Sequence, residues 1–162
     1  MFPDTIQKLT AVLLDEYREA GRKVATAESC TGGLIAGALT DRAGSSDVVE
    51  RGFVTYSNEA KTEMLGVPAD LIRVKGAVSA EVAMAMAVGA LEKSRADVAV
   101  AVTGIAGPGG ATATKPVGLV YVGTAIRHGE TAYQECFFTG DREAVRLATV
   151  RTALERLRAV RP

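Results

Sequence analysis

The sequence predicts an α/β protein, a three-layer α/β/α sandwich built on a mixed five-stranded sheet of order 2-1-3-4-5. Short apolar segments alternate with segments of helical periodicity through residues 5–102, as in chains built from βαβ units. No helix-length segment separates the third apolar segment from the fourth, so strand 4 is expected to run antiparallel to strand 3. A turn at residues 127–130 then returns the chain as strand 5, parallel to strand 3.

The composition is that of a single globular domain spanning residues 1–162. Hydrophobic residues make up 48% of the chain, enough for one sizeable core, and 19 basic residues balance 19 acidic ones. A net charge of zero gives no reason to expect binding to nucleic acid or to an anionic membrane. The chain has no apolar run long enough to span a bilayer, and its N-terminus does not resemble a signal peptide. We therefore expect a cytoplasmic protein with reduced thiols at Cys30 and Cys136.

The N-terminal part contains the first two strands. Residues 5–20 carry apolar side chains at helical spacing, and residues 23–27 form a short strand rich in small and β-branched residues. A hydroxyl-rich turn leads from this strand into a helix of small apolar residues at 32–39. A loop at residues 43–47 precedes strand 2, which is predicted at residues 48–56.

Two helices are predicted between strand 2 and strand 3. The first begins after Ser57 or Asn58, either of which can act as its N-cap, and ends at Leu65. The second is capped by Ser79 and runs to Glu92. Strands 3, 4 and 5 follow at residues 97–102, 117–126 and 131–138, and a last helix opening at residues 140–143 has the predicted core stripe Leu147, Val150, Leu154 and Leu157.

This topology predicts where a ligand would bind. The loops after strands 1, 2, 3 and 5 leave the same edge of the sheet, and open α/β sheets bind ligands at that edge where the strand order reverses. The side chains and loop expected to converge there are Ser29, Lys61, the loop 103–110, Lys115 and Arg142.

Ser29 and Lys61 are candidates for catalysis. Ser29 lies where strand 1 passes into a helix, so the backbone amides that follow can bind an oxyanion, although Ser29 or Thr31 could instead only cap the helix. Lys61 lies in the first turn of its helix, where a desolvated neutral amine could accept a serine proton; the alternative is a solvated surface lysine. The single histidine, His128, falls in a predicted hairpin turn, so a histidine-based triad or zinc site is poorly supported.

Other candidates have both a functional and a structural interpretation. The glycine-rich loop 103–110 could approach a phosphate closely or be a plain loop. Arg142 and Arg146 lie one helical turn apart, which suits a grip on phosphate or carboxylate but equally a solvated helix face. Tyr56 could orient a neighbour through its hydroxyl or simply pack, and Cys30 is interpreted as a packing residue.

Five regions of the chain, in order along nearly its whole length, resemble the CinA C-terminal domain family. They are residues 27–33 (AESCTGG), 52–61 (GFVTYSNEAK), 76–79 (GAVS), 104–108 (GIAGP) together with 115–118 (KPVG), and 140–146 (GDREAVR). The family includes bacterial nicotinamide-nucleotide amidohydrolases. The resemblance therefore implies hydrolysis of the carboxamide of nicotinamide mononucleotide to nicotinic acid mononucleotide and ammonia, in pyridine-nucleotide salvage.

The resemblance also implies a Ser/Lys pair, with Ser29 as nucleophile, Lys61 as base and Tyr56 beside them. We place the oxyanion on the amides that follow Ser29, with Thr103 or its loop as a second donor. The predicted substrate-binding residues are Thr31, Gly32, Gly33, Asn58, Thr103, Gly104, Gly107, Gly109, Gly110, Arg142 and Arg146. We expect no cofactor and no metal. The expected partner is a small pyridine nucleotide, without nucleic acid or membrane, and the chain is expected to form a homo-oligomer, a dimer.

Two features depart from the family pattern. Ala111 stands where relatives usually show a third glycine after Gly109 and Gly110, which affects close backbone approach there. The single helix before strand 1 leaves no room for the N-terminal nucleotide-pyrophosphatase domain of larger CinA proteins, so that activity and its metal are not transferred. Two alternatives stay open: a non-catalytic nucleotide-binding or competence- and damage-related module, and a thiol enzyme acting through Cys30.

Overall fold

The computed structural model describes residues 1–160. Within those residues, a single α-helix precedes each of the first two strands, three α-helices lie between the second and third strands, and a β-hairpin and a long helix follow the third strand. The elements are α1 (Asp4–Glu19), β1 (Val24–Glu28), α2 (Leu34–Thr40), β2 (Val49–Val54), α3 (Asn58–Leu65), α4 (Ala69–Lys75), α5 (Ala80–Glu92), β3 (Val98–Gly104), β4 (Leu119–Ile126), β5 (Thr131–Phe137) and α6 (Arg142–Ala159). No helix of this part of the chain is both long and apolar enough to cross a membrane.

The five strands form one sheet of order β2-β1-β3-β4-β5, which confirms the predicted order. β1 lies between β2 and β3 and is parallel to both, whereas β4 is antiparallel to β3 and to β5. The carboxyl ends of β1, β2, β3 and β5 therefore lie at one edge of the sheet, where β4 begins. This edge carries the candidate site.

Alternation along β3 divides the interior into two cores. Val98, Val100 and Val102 lie in the core formed with α1, α2 and α6, whereas Ala99 and Ala101 lie in the core formed with α3, α4 and α5. Successive side chains of a strand point to opposite faces, so the V-A-V-A-V pattern places large residues on one face and small ones on the other. The predicted three layers follow from this division.

α5 packs very close to its neighbours through glycine. A Cβ added to Gly123 of β4 would collide with the backbone of Ala83 in α5, and one added to Gly89 would collide with the backbone of Leu65 in α3. Glycine at these two positions allows the backbones to approach. The close packing holds α3 against the edge where β1 ends, which matters because α3 carries Lys61.

Two details of the helices differ from the prediction. α4 was not predicted; it begins after Pro68, and Ile72 is its only buried residue, so its seven residues carry too little apolar periodicity to be recognised. The core-facing stripe of α6 includes Val145, while Leu147 is only half-buried at the margin of the core. Leu147 lies two residues from Val145, which is roughly half a turn around the helix.

Candidate active site

Ser29 lies in a tight turn between β1 and α2. Its backbone N–H donates to the carbonyl of Val102 on β3 (3.0 Å), and the N–H of Gly32 closes the turn on the carbonyl of Ser29 (3.1 Å). Gly32 and Gly33 have φ angles of +59° and +100°, a region that glycine adopts without strain. The chain therefore reverses at once, and Ser29 stays 9% exposed at the carboxyl end of β1.

Lys61 reaches Ser29 from the first turn of α3, whose N-cap is Ser57. The Lys61 side chain is buried, with 1% of the residue exposed. Its Nζ lies 3.0 Å from Ser29 Oγ, 3.1 Å from the carbonyl oxygen of Thr55 and 3.4 Å from that of Ser57. The structure thus brings together the two residues that the sequence suggested as nucleophile and base, although 31 residues lie between them along the chain.

The surroundings of Lys61 favour a neutral amine. Burial lowers the pKa of Lys61, because removal from water disfavours the charged form. A neutral amine has two N–H groups and one lone pair. The carbonyls of Thr55 and Ser57 accept hydrogen bonds only, so they take the two N–H groups and leave the lone pair for the hydroxyl proton of Ser29.

Glu28 shapes the turn, a role that its sequence context did not predict. Its carboxylate is fully buried and accepts four hydrogen bonds. The donors are the Thr31 hydroxyl (2.6 Å) and the backbone N–H groups of Gly33 (3.1 Å), Ile35 (2.9 Å) and Ala36 (2.8 Å). Glu28 ends β1, with residues 29–33 between it and α2, and its carboxylate accepts from the first N–H groups of that helix, which lack internal partners and favour a negative charge.

Glu28 and the turn itself occupy three groups that were predicted to bind substrate. The Thr31 hydroxyl and the Gly33 N–H donate to Glu28, and the Gly32 N–H donates to Ser29. These groups are not free for a ligand, which corrects the predicted substrate contacts through them. In residues 1–160, only the N–H groups of Cys30 and Thr31 in this turn have no hydrogen-bond partner; Cys30 is 6% exposed, whereas Thr31 is fully buried.

Arg142 and Arg146 hold different parts of the site. Arg146 donates from Nε to the carbonyl of Cys30 (3.2 Å) and from Nη2 to the carbonyl of Thr31 (2.9 Å). Arg142 donates from Nη1 to the carbonyl of Gly107 (2.8 Å) and from Nη2 to the hydroxyl of Tyr56 (3.0 Å). The two arginines, one helical turn apart, therefore serve separate loops.

Tyr56 lies at the mouth of the site and is 62% exposed. Its hydroxyl accepts a hydrogen bond from Arg142 and, in the described part of the chain, makes none with Ser29 or Lys61. Because Arg142 also contacts Gly107, it links the end of β2 to the loop after β3 across the end of β1.

Three predicted contacts point elsewhere. The Thr103 hydroxyl is buried and donates to the carbonyl of Ala77 (2.8 Å), so it is not available as a second oxyanion donor. Lys115 does not converge on Ser29; its Nζ donates to the carbonyl of Lys75 at the end of α4 (2.8 Å). Asn58 lines a groove of about 360 Å³ between α3 and α4, and neither Ser29 nor Lys61 lines that groove.

The glycines at the end of β3 and in the loop after it differ in how strongly the structure requires glycine. A Cβ on Gly104 would lie 2.6 Å from Val120 Cγ2, and one on Gly107, where φ is +82°, would lie 2.6 Å from Val117 Cγ1. Gly110 also has a positive φ of +91°, whereas a Cβ on Gly109 would meet nothing within 4 Å. The position that requires no glycine, Gly109, lies two residues before Ala111 on the same exposed tip.

Cys30 is a poor candidate nucleophile. Burial raises the pKa of its thiol to about 12, so almost none of it is thiolate at neutral pH. Cys30 and Cys136 are both free thiols, as expected. The single histidine, His128, lies in the turn between β4 and β5, at the other end of the sheet. Across residues 1–160, no three His, Cys, Asp or Glu side chains are grouped so that they could hold a metal ion.

Comparison with known proteins places this site in a family. Residues 6–160 match the model of the CinA C-terminal domain. A CinA-like protein of Geotalea daltonii is 52% identical over 159 residues, which cover 98% of this chain and 38% of that protein. One from Mycolicibacterium gilvum is 55% identical over 139 residues, covering 86% of this chain and 33% of that protein. The chain therefore spans less than two fifths of the length of these two relatives.

Solved structures match the chain over most of its length. A competence/damage inducible protein, CihA, from Agrobacterium tumefaciens is 56% identical with a TM-score of 0.96, covering 98% of this chain and 97% of that one. The competence damage-inducible protein A (ComA) from Klebsiella pneumoniae is 38% identical with a TM-score of 0.92, covering 96% of each chain. The fold and the order of the elements are thus shared with these proteins.

Proposed function

This chain belongs to the CinA C-terminal domain family, and on that basis we propose that it hydrolyses the carboxamide of nicotinamide mononucleotide to nicotinic acid mononucleotide and ammonia. The observation that carries the proposal is the buried Lys61 amine 3.0 Å from the hydroxyl of Ser29. The substrate is inferred from the resemblance to the nicotinamide-nucleotide amidohydrolases of the family. A role in pyridine-nucleotide salvage, a cytoplasmic location and a homodimer are part of the same proposal.

The geometry supports acylation of Ser29. The lone pair of neutral Lys61 accepts the hydroxyl proton as Oγ attacks the carboxamide carbon. The carbonyl oxygen then becomes an oxyanion, for which the free N–H groups of Cys30 and Thr31 are the donors. The Lys61 ammonium returns the proton to the departing nitrogen, so ammonia leaves and an ester remains on Ser29.

Hydrolysis of the ester repeats the same proton transfers with water. Lys61 accepts a proton from water as the water oxygen attacks the ester carbon, and it then returns the proton to Ser29 Oγ as the acid leaves. One water is consumed, one carboxamide becomes a carboxylic acid, and the pair is restored.

The rest of the nucleotide extends toward Arg142. This guanidinium lies at the mouth of the site, between the end of β2 and the loop after β3, and it could exchange its bond to the Tyr56 hydroxyl for a substrate phosphate. The exposed backbone around Gly109 and Gly110 lies in the same loop and is available to the ribose. Phosphate therefore binds away from the reacting carboxamide in this proposal.

The experiment follows ammonia and nicotinic acid mononucleotide after addition of nicotinamide mononucleotide to the purified protein. Ser29→Ala should abolish turnover, and Ser46→Ala, an exposed serine far from the site, should not change it. The proposal would be refuted if the wild type made no ammonia, or if the Ser29→Ala variant were as active as the wild type. Calorimetric binding of the nucleotide without turnover would favour a non-catalytic module, although such a module has no use for a buried lysine beside a serine.

A further inference from the structure

We propose that Arg146 is a positioning residue that aims the N–H of Thr31 at the oxyanion, and that it does not bind the substrate's phosphate. The proposal rests on the amidase mechanism above and assigns a role inside it. The observation is the guanidinium of Arg146, which contacts two successive carbonyls of the turn that carries Ser29, those of Cys30 and Thr31.

The direction of the Thr31 N–H follows from peptide geometry. Among residues 1–160, the only cis peptide bond is Gly107–Pro108, so the Cys30–Thr31 peptide is trans. In a trans peptide the C=O and the N–H point in opposite directions. Because the carbonyl of Cys30 points to Arg146 on α6, the N–H of Thr31 points away from α6, and it has no partner in the described chain.

The turn needs an external group to hold that direction. Two consecutive glycines with positive φ follow Thr31, and glycine is the residue that restrains the backbone least. Glu28 accepts from the Thr31 hydroxyl and from the N–H groups of Gly33, Ile35 and Ala36, but from no group of the Cys30–Thr31 peptide. Within residues 1–160, the hydrogen bond to the carbonyl of this peptide comes from Arg146, whose guanidinium also donates to the next carbonyl, that of Thr31.

Arg146 also polarises the donor. A positive charge on the carbonyl oxygen of Cys30 draws electron density from the peptide and strengthens the N–H of Thr31 as a hydrogen-bond donor. The donor is oriented before the reaction begins, which is how an oxyanion site lowers a barrier without reorganisation. Arg142, one turn earlier on α6, contacts the exposed loop and Tyr56 instead, so it is the arginine left for phosphate.

The experiment compares Arg146→Met with Arg142→Met and with Arg151→Met, an exposed arginine of the same helix that pairs with Glu155. Each variant is measured with nicotinamide mononucleotide and with nicotinamide riboside, which has the same carboxamide but no phosphate. A third measurement is the rate at which a small uncharged alkyl fluorophosphonate labels Ser29. That reaction uses the nucleophile and the oxyanion donors but no nucleotide contact.

Removing one oxyanion donor lowers kcat by about 100- to 1,000-fold. Losing the side chain that orients such a donor should therefore lower kcat by about tenfold or more. Arg146→Met should lower kcat by a similar factor on both substrates, leave KM for the mononucleotide nearly unchanged and slow the labelling of Ser29. Arg142→Met should chiefly raise KM for the mononucleotide, and Arg151→Met should match the wild type. Arg146→Lys, which keeps the charge but not the fork that spans two carbonyls, should retain the kcat defect on both substrates.

Two results would overturn the proposal. If Arg146→Met raises only KM for the mononucleotide and leaves riboside turnover and labelling unchanged, Arg146 is a phosphate ligand. If all three measurements match the wild type, Arg146 has no role in the site. A different result separates this proposal from the amidase function. If the wild type is labelled at Ser29 but hydrolyses neither substrate, the amidase function is refuted. If Arg146→Met also slows that labelling, the positioning role of Arg146 still holds. Should Arg146→Met fail to fold, Arg146→Lys decides between the same outcomes.

Discussion

The turn after β1 and the loop after β3 leave neighbouring strands at the same edge of the sheet, yet they are built differently. The turn, residues 29–33, is held from one side by the buried carboxylate of Glu28 and from the other by Arg146. The loop, residues 105–118, is closed at its base by a bond from the Gly118 N–H to the carbonyl of Ile105 (2.8 Å). Its tip, residues 108–114, is exposed to solvent.

The turn and the loop both contain glycine, but glycine serves a different purpose in each. In the turn, glycine allows a sharp reversal, and charged side chains then remove the remaining freedom. In the loop, glycine at residue 107 allows close packing, while the tip is exposed to solvent. We therefore expect the turn to carry the chemistry that needs precise atomic positions, and the tip of the loop to tolerate substitution.

Loss of the base should have the largest effect. Lys61→Met keeps the length of the side chain but removes the proton acceptor, so kcat should fall by about 10⁴-fold or more. The free energy of unfolding should be equal to or higher than that of the wild type, because a desolvated amine is replaced by an apolar group. Lys115→Met, in the open loop, is the matched control and should keep its activity. Ammonia release and denaturant unfolding measure the two quantities, and an active Lys61→Met variant would refute the assigned base.

The pH dependence of activity and of stability should reflect the titration of Lys61. Because only the neutral amine accepts a proton, kcat/KM should rise with pH through the lowered pKa of Lys61 and then level off. The unfolded chain holds this proton up to about pH 10.4, whereas the folded protein loses it earlier, so the free energy of unfolding should also rise with pH between the two values. This rise should be missing in Lys61→Met. A slope that is the same in both proteins would contradict the shifted pKa.

Removal of Glu28 should loosen the closed turn. Glu28→Ala leaves a hydroxyl and three backbone N–H groups without their acceptor, so the free energy of unfolding should fall by about 3 kcal/mol, and kcat should fall with it. Glu28→Gln retains one acceptor oxygen and should lose less. Glu130→Ala, in the exposed β4–β5 turn, is the control. Chemical denaturation and initial rates test this, and a Glu28→Ala protein as stable as the wild type would show that the carboxylate does not hold the turn.

The loop offers a matched glycine pair. Gly107→Ala introduces a Cβ 2.6 Å from Val117 Cγ1 at a positive φ, so it should cost about 1–3 kcal/mol of unfolding free energy. Gly109→Ala meets nothing within 4 Å and should change stability by less than about 0.5 kcal/mol. Thermal or denaturant unfolding compares them. Equal effects would mean that the tip and the base of the loop are not distinct.

Cys30→Ala should have the smallest effect on activity. The thiol is buried beside the nucleophile, and its loss should cost about 1 kcal/mol of stability through lost packing. Turnover should stay close to that of the wild type, because in the proposed mechanism Ser29 rather than the thiol attacks. Complete loss of activity in a folded Cys30→Ala protein would instead support a thiol enzyme.

Much of the fold could be predicted from local sequence patterns. The apolar residues within 97–102 predicted a buried strand, and the absence of a helix between β3 and β4 predicted the antiparallel strand. α4 was missed because seven residues with one buried position carry almost no periodic signal. Topology placed Ser29 and Lys61 at the same edge, since each follows a strand that ends there, and the family resemblance then suggested them as nucleophile and base.

The hydrogen-bond partners within the site could not be predicted in the same way. Thr103, Lys115 and Arg146 were each assigned toward a ligand, and each donates to a backbone carbonyl instead. Such a carbonyl carries no signature in the amino-acid sequence, because every residue has one. Glu28 likewise lies at the end of a strand, with residues 29–33 between it and α2, so its position in the sequence reveals neither its bonds to that helix start nor its complete burial.

Local residue patterns were enough to predict the order of the strands, the reversal after β1, and a hydroxyl and an amine at one edge of the sheet. The structure was needed to show that the Lys61 amine is buried and lies 3.0 Å from the Ser29 hydroxyl, and that in the turn 29–33 the N–H groups of Cys30 and Thr31 lack a partner. Strand alternation and glycine torsion act between neighbours in sequence. Desolvation and the pairing of polar groups depend on what packs against them, and here Arg146 comes from 115 residues beyond Thr31.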